Sequence, residues 1–336
     1  MLYKIIKLYI KTGLFLFYKK IKVTGKKNVP TKGPILFVAN HQNAMMDPLL
    51  IATSNKSMYF LARASAFKNK LAAKILTNLH LVKIYRRRDG VDSKKLNEAV
   101  FDHCLELLNE GKNMLIFPEG SHHIMRKVRS LRTGFIRIAF DYLEANKEKD
   151  LLIIPIGLNY DNTLNYGKTI HMNYGKPIST RQFFNPTNLE KSKDGLIHEV
   201  HKILSELSVN INDEENYQSI ISSLEESEFL TPNITNKKLM NFIPKATSVK
   251  KKKSKNIFYY LMMLNSFIPF MIWNWLKPKV EAIEFRSTAK YSLGLTVFPV
   301  FYTIQTLIIN HYFGNTVALV YVAICFLLVI FSTKTR

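Results

Sequence analysis

Two short segments of this 336-residue chain place a proton acceptor and carboxylates in polar turns that follow hydrophobic runs. The first is Val38-Ala39-Asn40-His41-Gln42-Asn43-Ala44-Met45-Met46-Asp47-Pro48. Of these residues only His41 has an ordinary pKa near neutrality, which suits it to general-base work, and Asp47 could fix its tautomer and stabilise the imidazolium. On a regular helix, residues six apart are rotated by about 240°, so His41 must sit in the turn before a helix opened by Asp47 and Pro48. Helix capping is the plainer role for Asp47. The second segment is Leu115-Ile116-Phe117-Pro118-Glu119-Gly120-Ser121, where Pro118 ends a strand and Gly120 lets backbone amides approach a ligand. Basic groups gather nearby. Arg86, Arg87 and Arg88 follow the apolar run ending at Ile84, and Arg126, Lys127, Arg129 and Arg132 precede Thr133-Gly134 at a helix start. Guanidinium groups and a helix N-terminus around one histidine suit a phosphorylated substrate.

Taken in order, Asn40-His41 with Asp47, the arginine-bearing strand end, Phe117-Pro118-Glu119-Gly120-Ser121, Leu131-Arg132-Thr133-Gly134 and Ile153-Ile154-Pro155-Ile156-Gly157 resemble the four-block pattern of the glycerol-3-phosphate and 1-acylglycerol-3-phosphate acyltransferase family. The resemblance covers about residues 24–180. It implies His41 as general base, Asp47 as its orienting partner, and Glu119 and Gly120, with Ser121 beside them, in the acceptor site. It also implies Arg86 or Arg87 against the acceptor phosphate, Arg132 as a further basic contact, and Pro155 as a structural or channel-lining residue. The usual spacing is His-x4-Asp, whereas five residues separate His41 from Asp47. That spacing resembles a subgroup with additional C-terminal apolar segments.

The activity implied is transfer of a fatty acyl group from an acyl thioester to the hydroxyl of glycerol-3-phosphate or a lysophosphatidate-like acceptor in phospholipid biosynthesis. Acyl-coenzyme A or acyl carrier protein would be a co-substrate, with no cofactor and no metal. A lysoaminolipid acceptor is an alternative of the same class. Two rivals differ in class: a metal-dependent lipid hydrolase built on His41, Asp47, Glu119, His122 and His123, and a non-catalytic lipid-binding scaffold. Adjacent histidines such as His122 and His123 diverge on an extended chain, which argues against their joint use as metal ligands.

The elements around these residues point to an α/β fold: a mixed central sheet covered by helices, with an N-terminal interfacial helix and a C-terminal helical membrane region. Apolar runs at 34–39, 57–62, 82–86, 113–117, 151–157 and 171–174 predict strands, and 47–54, 94–109, 133–144 and 187–207 predict helices. Residues 1–23 interleave Lys4, Lys7 and Lys11 with Leu, Ile and Tyr, as expected of a helix over 2–20 lying at a membrane interface. The resemblance implies an acyltransferase domain over residues 24–208, and 209–255 read as a polar linker ending in Lys250–Lys253 and Lys255. In 256–336, a re-entrant or interfacial segment over 256–276 precedes apolar runs at 292–309 and 317–331 that predict a helical hairpin.

Forty-eight Lys and Arg against 25 Asp and Glu give a net charge of +23, which calls for an anionic partner. The apolar tail beside a basic run favours anionic membrane lipid, and the basic clusters lack the interleaved aromatics of a nucleic-acid module. Cys104 and Cys325 provide no disulfide framework. The expected location is the cytoplasmic membrane, with the catalytic domain on the cytoplasmic side.

Overall fold

The structure, a computed structural model, describes residues 2–85, 92–242 and 256–335. Helix α1 (Leu2–Phe17) leads into strand β1 (Lys20–Thr24), followed by β2 (Ile35–Ala39), α2 (Met46–Ser54), β3 (Met58–Arg63), α3 (Lys70–Asn78) and β4 (Leu81–Ile84). Then come α4 (Ser93–Asn109), β5 (Asn113–Ile116), α5 (Gly134–Ala145), β6 (Leu152–Tyr160), β7 (Thr169–Tyr174), β8 (Ile178–Ser179) and α6 (Leu189–Leu207). The sheet order is β1-β7-β6-β2-β5-β3-β4, with β8 also beside β6. The strands from β6 through β2, β5 and β3 to β4 pair in parallel, while β7 and β8 run antiparallel to β6. This is the expected mixed sheet.

Strand β2 lies at its centre because every residue is apolar and both faces are covered. Ile35, Phe37 and Ala39 join a cluster with Leu14 and Phe17 of α1 and Leu50 and Ile51 of α2. Leu36 and Val38 point the other way, into a cluster with Leu108 of α4, Phe135 of α5 and Leu196 of α6. Pro155 is buried in β6 opposite the gap between β7 and β8, where a missing N–H breaks no continuous ladder. Two residues on, a Cβ at Gly157 would stand 2.2 Å from the Leu207 carbonyl oxygen, so only glycine lets α6 approach this strand.

Two boundaries differ from the sequence reading. The expected helix over 2–20 stops at Phe17, and Lys20–Thr24 pairs in parallel with β7. Tyr18, fully buried between them, anchors the change of direction. The expected linker is folded over 209–242: it contains α7 (Tyr217–Ser223) and α8 (Pro232–Met240), and Val209, Ile211, Ile220, Leu224 and Phe229 form a third apolar cluster. These residues have no regular period, because turns rather than one helix face bring them together. Lys250–Lys253 and Lys255 lie outside the described residues.

The C-terminal region begins with α9 (Ile257–Asn265) and α10 (Phe267–Leu276), apolar helices bent by 91° at Ser266. Helices α11 (Phe285–Phe313) and α12 (Asn315–Lys334) follow, joined at Gly314, whose φ is 83°. Their 29 and 20 residues correspond to about 43 and 30 Å at about 1.5 Å per residue. Both are long and apolar enough to cross a membrane. Helix α11 starts well before the apolar run at 292 because its first turns dock on protein: Ser287 Oγ donates to the Thr163 carbonyl and Lys290 Nζ to the Leu164 carbonyl at 2.6 Å. At the far end of the hairpin, Lys334 Nζ donates to the carbonyls of Phe15 and Tyr18 at 2.6 and 2.8 Å, filling orphan acceptors at the end of α1. Both ends of the hairpin therefore meet the α/β domain.

Candidate active site

The parallel strands β2, β5, β3 and β6 present their carboxyl ends along one edge of the sheet, the edge at which α/β folds assemble sites. His41 follows β2, Glu119 follows β5, and Tyr160 closes β6. Asn40 fixes the end of β2 by a double link to β6, its side chain donating to the Leu158 carbonyl at 3.2 Å and accepting the Leu158 N–H at 2.7 Å.

The chain then turns through Ala44, which takes a left-handed φ of 35°, and α2 begins at Met46. This turn absorbs the fifth intervening residue and brings His41 Nδ1 to 2.7 Å from Asp47 Oδ2. Asp47 is fully buried. Oδ2 also accepts the Gln42 and Asn43 N–H groups, each at 2.8 Å, and Oδ1 accepts the Tyr160 hydroxyl. With donors alone around it, Asp47 is a carboxylate, so the proton of neutral His41 resides on Nδ1 and the lone pair on Nε2. The Tyr160 phenol is held well above its ordinary value by burial first and by the Asp47 charge second.

The His41 ring stacks on Phe117, with centroids 4.1 Å apart, and His122 lies 5.5 Å away. Burial first, and the neighbouring His41 second, lower the His122 pKa to about 4. His122 is therefore neutral near pH 7 and adds no second cation beside the candidate base.

Glu119, only 6% exposed, spans the two segments. Its Oε1 accepts the His41 N–H at 3.0 Å, and its Oε2 accepts Arg129 Nε at 2.7 Å. Burial raises its pKa above the ordinary value, with Arg129 as the main opposing influence. Arg129 Nη1 also donates to Ser121 Oγ at 2.8 Å and Nη2 to the Ser121 carbonyl. Gly120 adopts a φ of 72°. Its N–H donates to the Phe117 carbonyl at 3.1 Å and closes the turn. The loop is tied down at both ends, by the His123 N–H to the His41 carbonyl and the Arg132 N–H to the Pro118 carbonyl.

Three of the expected phosphate contacts are engaged elsewhere. Arg126 is buried over the Phe229 ring at 3.7 Å and donates to the Asp161 carbonyl, and burial lowers its pKa to about 10. Lys127 pairs with Glu214 at 2.7 Å, and Arg129 is held as described. Arg132 is exposed beside Gly120. Arg86 and Arg87 lie outside the described residues. Sequence reasoning missed Arg63 at the end of β3, whose guanidinium stands 6.0 Å over the Phe285 ring, and Tyr160, which is 113 residues from Asp47. Among the described residues, no group of three His, Cys, Asp or Glu side chains converges as a bound metal would need, and His123 Nδ1 accepts the Met125 N–H.

Similar proteins share this part of the chain. A 1-acyl-sn-glycerol-3-phosphate acyltransferase of Borreliella burgdorferi is 27% identical over 213 residues, which is 63% of this chain and 72% of that protein. The chloroplastic 1-acyl-sn-glycerol-3-phosphate acyltransferase LPAT1 of Arabidopsis thaliana is 28% identical over 138 residues, 40% of this chain and 36% of that protein. The human mitochondrial glycerol-3-phosphate acyltransferase 1 is 28% identical over 147 residues, 41% of this chain and 18% of that protein. The chain thus spans most of the first relative and a minor part of the other two. The crystal structure of a 1-acyl-sn-glycerophosphate acyltransferase from Thermotoga maritima aligns with a TM-score of 0.44 at 20% identity, over 60% of this chain and 79% of that one. A family model described as Acyltransferase matches residues 20–159, the segment that holds His41, Asp47, Glu119 and Arg132.

Proposed function

We propose that the protein is a membrane-bound O-acyltransferase of phospholipid synthesis that moves a fatty acyl group from a thioester to a hydroxyl of glycerol-3-phosphate or its 1-acyl derivative. The observation that carries this reading is the 2.7 Å contact between His41 Nδ1 and buried Asp47, which leaves Nε2 as the proton acceptor. In the proposed reaction Nε2 removes the acceptor hydroxyl proton as that oxygen attacks the thioester carbonyl. Asp47 stabilises the imidazolium, the C–S bond breaks as the tetrahedral intermediate collapses, and the proton passes to the departing thiolate. Catalysis of this kind contributes on the order of 10²–10⁴-fold. Positioning supplies much of the remainder. Arg132 is assigned to the acceptor phosphate together with Arg86 and Arg87, while Glu119 and Arg129 hold the loop that carries Ser121.

The return of both hairpin ends to the α/β domain supports a single-sided arrangement, with the domain against the cytoplasmic face. The excess of basic residues supports contact with anionic lipid. The test is acyl transfer by purified protein in detergent, with acyl-coenzyme A or acyl carrier protein as donor and glycerol-3-phosphate or 1-acylglycerol-3-phosphate as acceptor, the lipid product being separated and counted. Product with one donor and acceptor pair establishes both substrates. Absence of product from all four pairs would refute the reading.

A further inference from the structure

A cavity of about 740 Å³ lies outside the sheet edge, enclosed by α1, α9, α10, α11, α12 and the loop after β6. Its volume falls among the pockets of about 300–1,000 Å³ that enclose small ligands. Most of its depth is apolar, with Leu16, Met262, Phe270, Leu293, Phe298 and Phe326 in the wall. Lys277, Arg286 and Lys290 also line it, and among the described residues no carboxylate does. The Nε of Arg286 is buried and has no hydrogen-bond partner among the described residues. Three cationic side chains lining one cavity with no carboxylate among them suit it to an anionic group.

The Arg286 part of the cavity adjoins the candidate active site. Phe285, the preceding residue, packs edge-on against His122 at 4.8 Å, and His122 faces His41. The Thr163 carbonyl accepts both Asn43 Nδ2 from the His41 turn and Ser287 Oγ from α11. A cationic portion beside the site and an apolar remainder between helices together match an amphiphile with an anionic headgroup.

We propose that this cavity binds an acyl lipid whose headgroup is a phosphate monoester, with Arg286 donating to the phosphate and the chain lying between α1 and α11. A lipid of that kind is a lysophosphatidate, so the proposal narrows the acceptor of the reaction above to one that carries its own chain, and in that respect it rests on that reading. The binding site itself stands independently of turnover.

Gly294 provides a probe, because it lines the cavity and a Cβ there meets nothing within 4 Å. Replacing a mid-helix glycine also favours the helix. The experiment measures equilibrium binding of radiolabelled 1-oleoylglycerol-3-phosphate to the full chain in mild detergent, in a His41→Ala background that prevents turnover. Gly294→Phe is expected to weaken binding at least about tenfold while Gly294→Ala does not. Arg286→Gln is expected to weaken lysophosphatidate binding about tenfold or more and leave 1-oleoylglycerol binding unchanged. Thermal melting of each variant establishes that it is folded. Unchanged binding in folded Gly294→Phe, or equal weakening of both lipids by Arg286→Gln, would overturn the proposal. Acyl-coenzyme A displacing the label more strongly than unlabelled lysophosphatidate would assign the cavity to the donor and overturn it as well. Lack of turnover with every substrate pair would refute the catalytic reading without touching these outcomes.

Discussion

His41 and Asp47 meet at 2.7 Å across five intervening residues because Ala44 turns the chain at a left-handed φ of 35°. An alanine in that region carries a penalty of about 1–2 kcal/mol that glycine does not. Ala44→Gly is therefore expected to raise stability by up to about 1 kcal/mol with activity retained. Urea unfolding checks this, and a marked loss would show that the buried methyl packs for more than the turn costs.

Asp47 accepts from four donors, and an asparagine can offer only one oxygen to them. Asp47→Asn turns an amide N–H₂ toward existing donors and removes the charge that fixes the His41 tautomer. The expected result is a fall in kcat of about 10²–10⁴-fold together with a lower melting temperature. Tyr160→Phe removes a single donor, with an expected cost of about 1.5–3 kcal/mol in stability and a much smaller effect on kcat. Steady-state kinetics beside thermal melting separates the two effects.

The Glu119 carboxyl is raised by burial and lowered by Arg129. A carboxyl raised in the folded state binds its proton more tightly there than in the unfolded chain. Its contribution is favourable at low pH and is lost as pH rises through the folded value. Arg129→Gln removes the main opposing charge, so stability should fall more steeply with rising pH than in the wild type. Adding Glu119→Gln should restore a flatter profile. Denaturant midpoints across the acid-to-neutral range test this, and parallel profiles for Arg129→Gln and wild type would count against it.

His122 behaves in the opposite sense. Its value falls from 6.5 to about 4. The unfolded chain takes the proton first, so stability is present above pH 6.5 and is lost as pH drops from there toward about 4. His122→Asn should flatten this part of the profile, as read by melting temperature at successive pH values. An undiminished slope in the variant would assign the acid sensitivity to other groups.

The legible parts of the chain were those written locally. Strands β2, β5 and β6 are short apolar runs because both their faces are covered, and the polar turns that follow them stand out against that background. The link from Tyr160 to Asp47 was not legible, since only the pairing of β6 with β2 brings these distant residues together. The same holds for Arg129, which reads as a free cation in sequence and is a partner of Glu119 in space. Strand β1 was obscured because Lys20-Ile21-Lys22-Val23 continues the basic and apolar mixture of the preceding helix. The cluster around Phe229 was obscured because its members reach one another through turns. Arg286 gave no signal of its own, since its surroundings come from helices far apart in the chain.

In the proposed mechanism His41 is the base for acyl transfer. The most direct test compares wild type with His41→Ala for transfer of a labelled acyl group from thioester to phosphorylated glycerol acceptor, with folding verified by melting temperature. The expected result is a folded variant whose turnover falls by at least about 10²-fold. A folded variant that transfers acyl groups at the wild-type rate would contradict it.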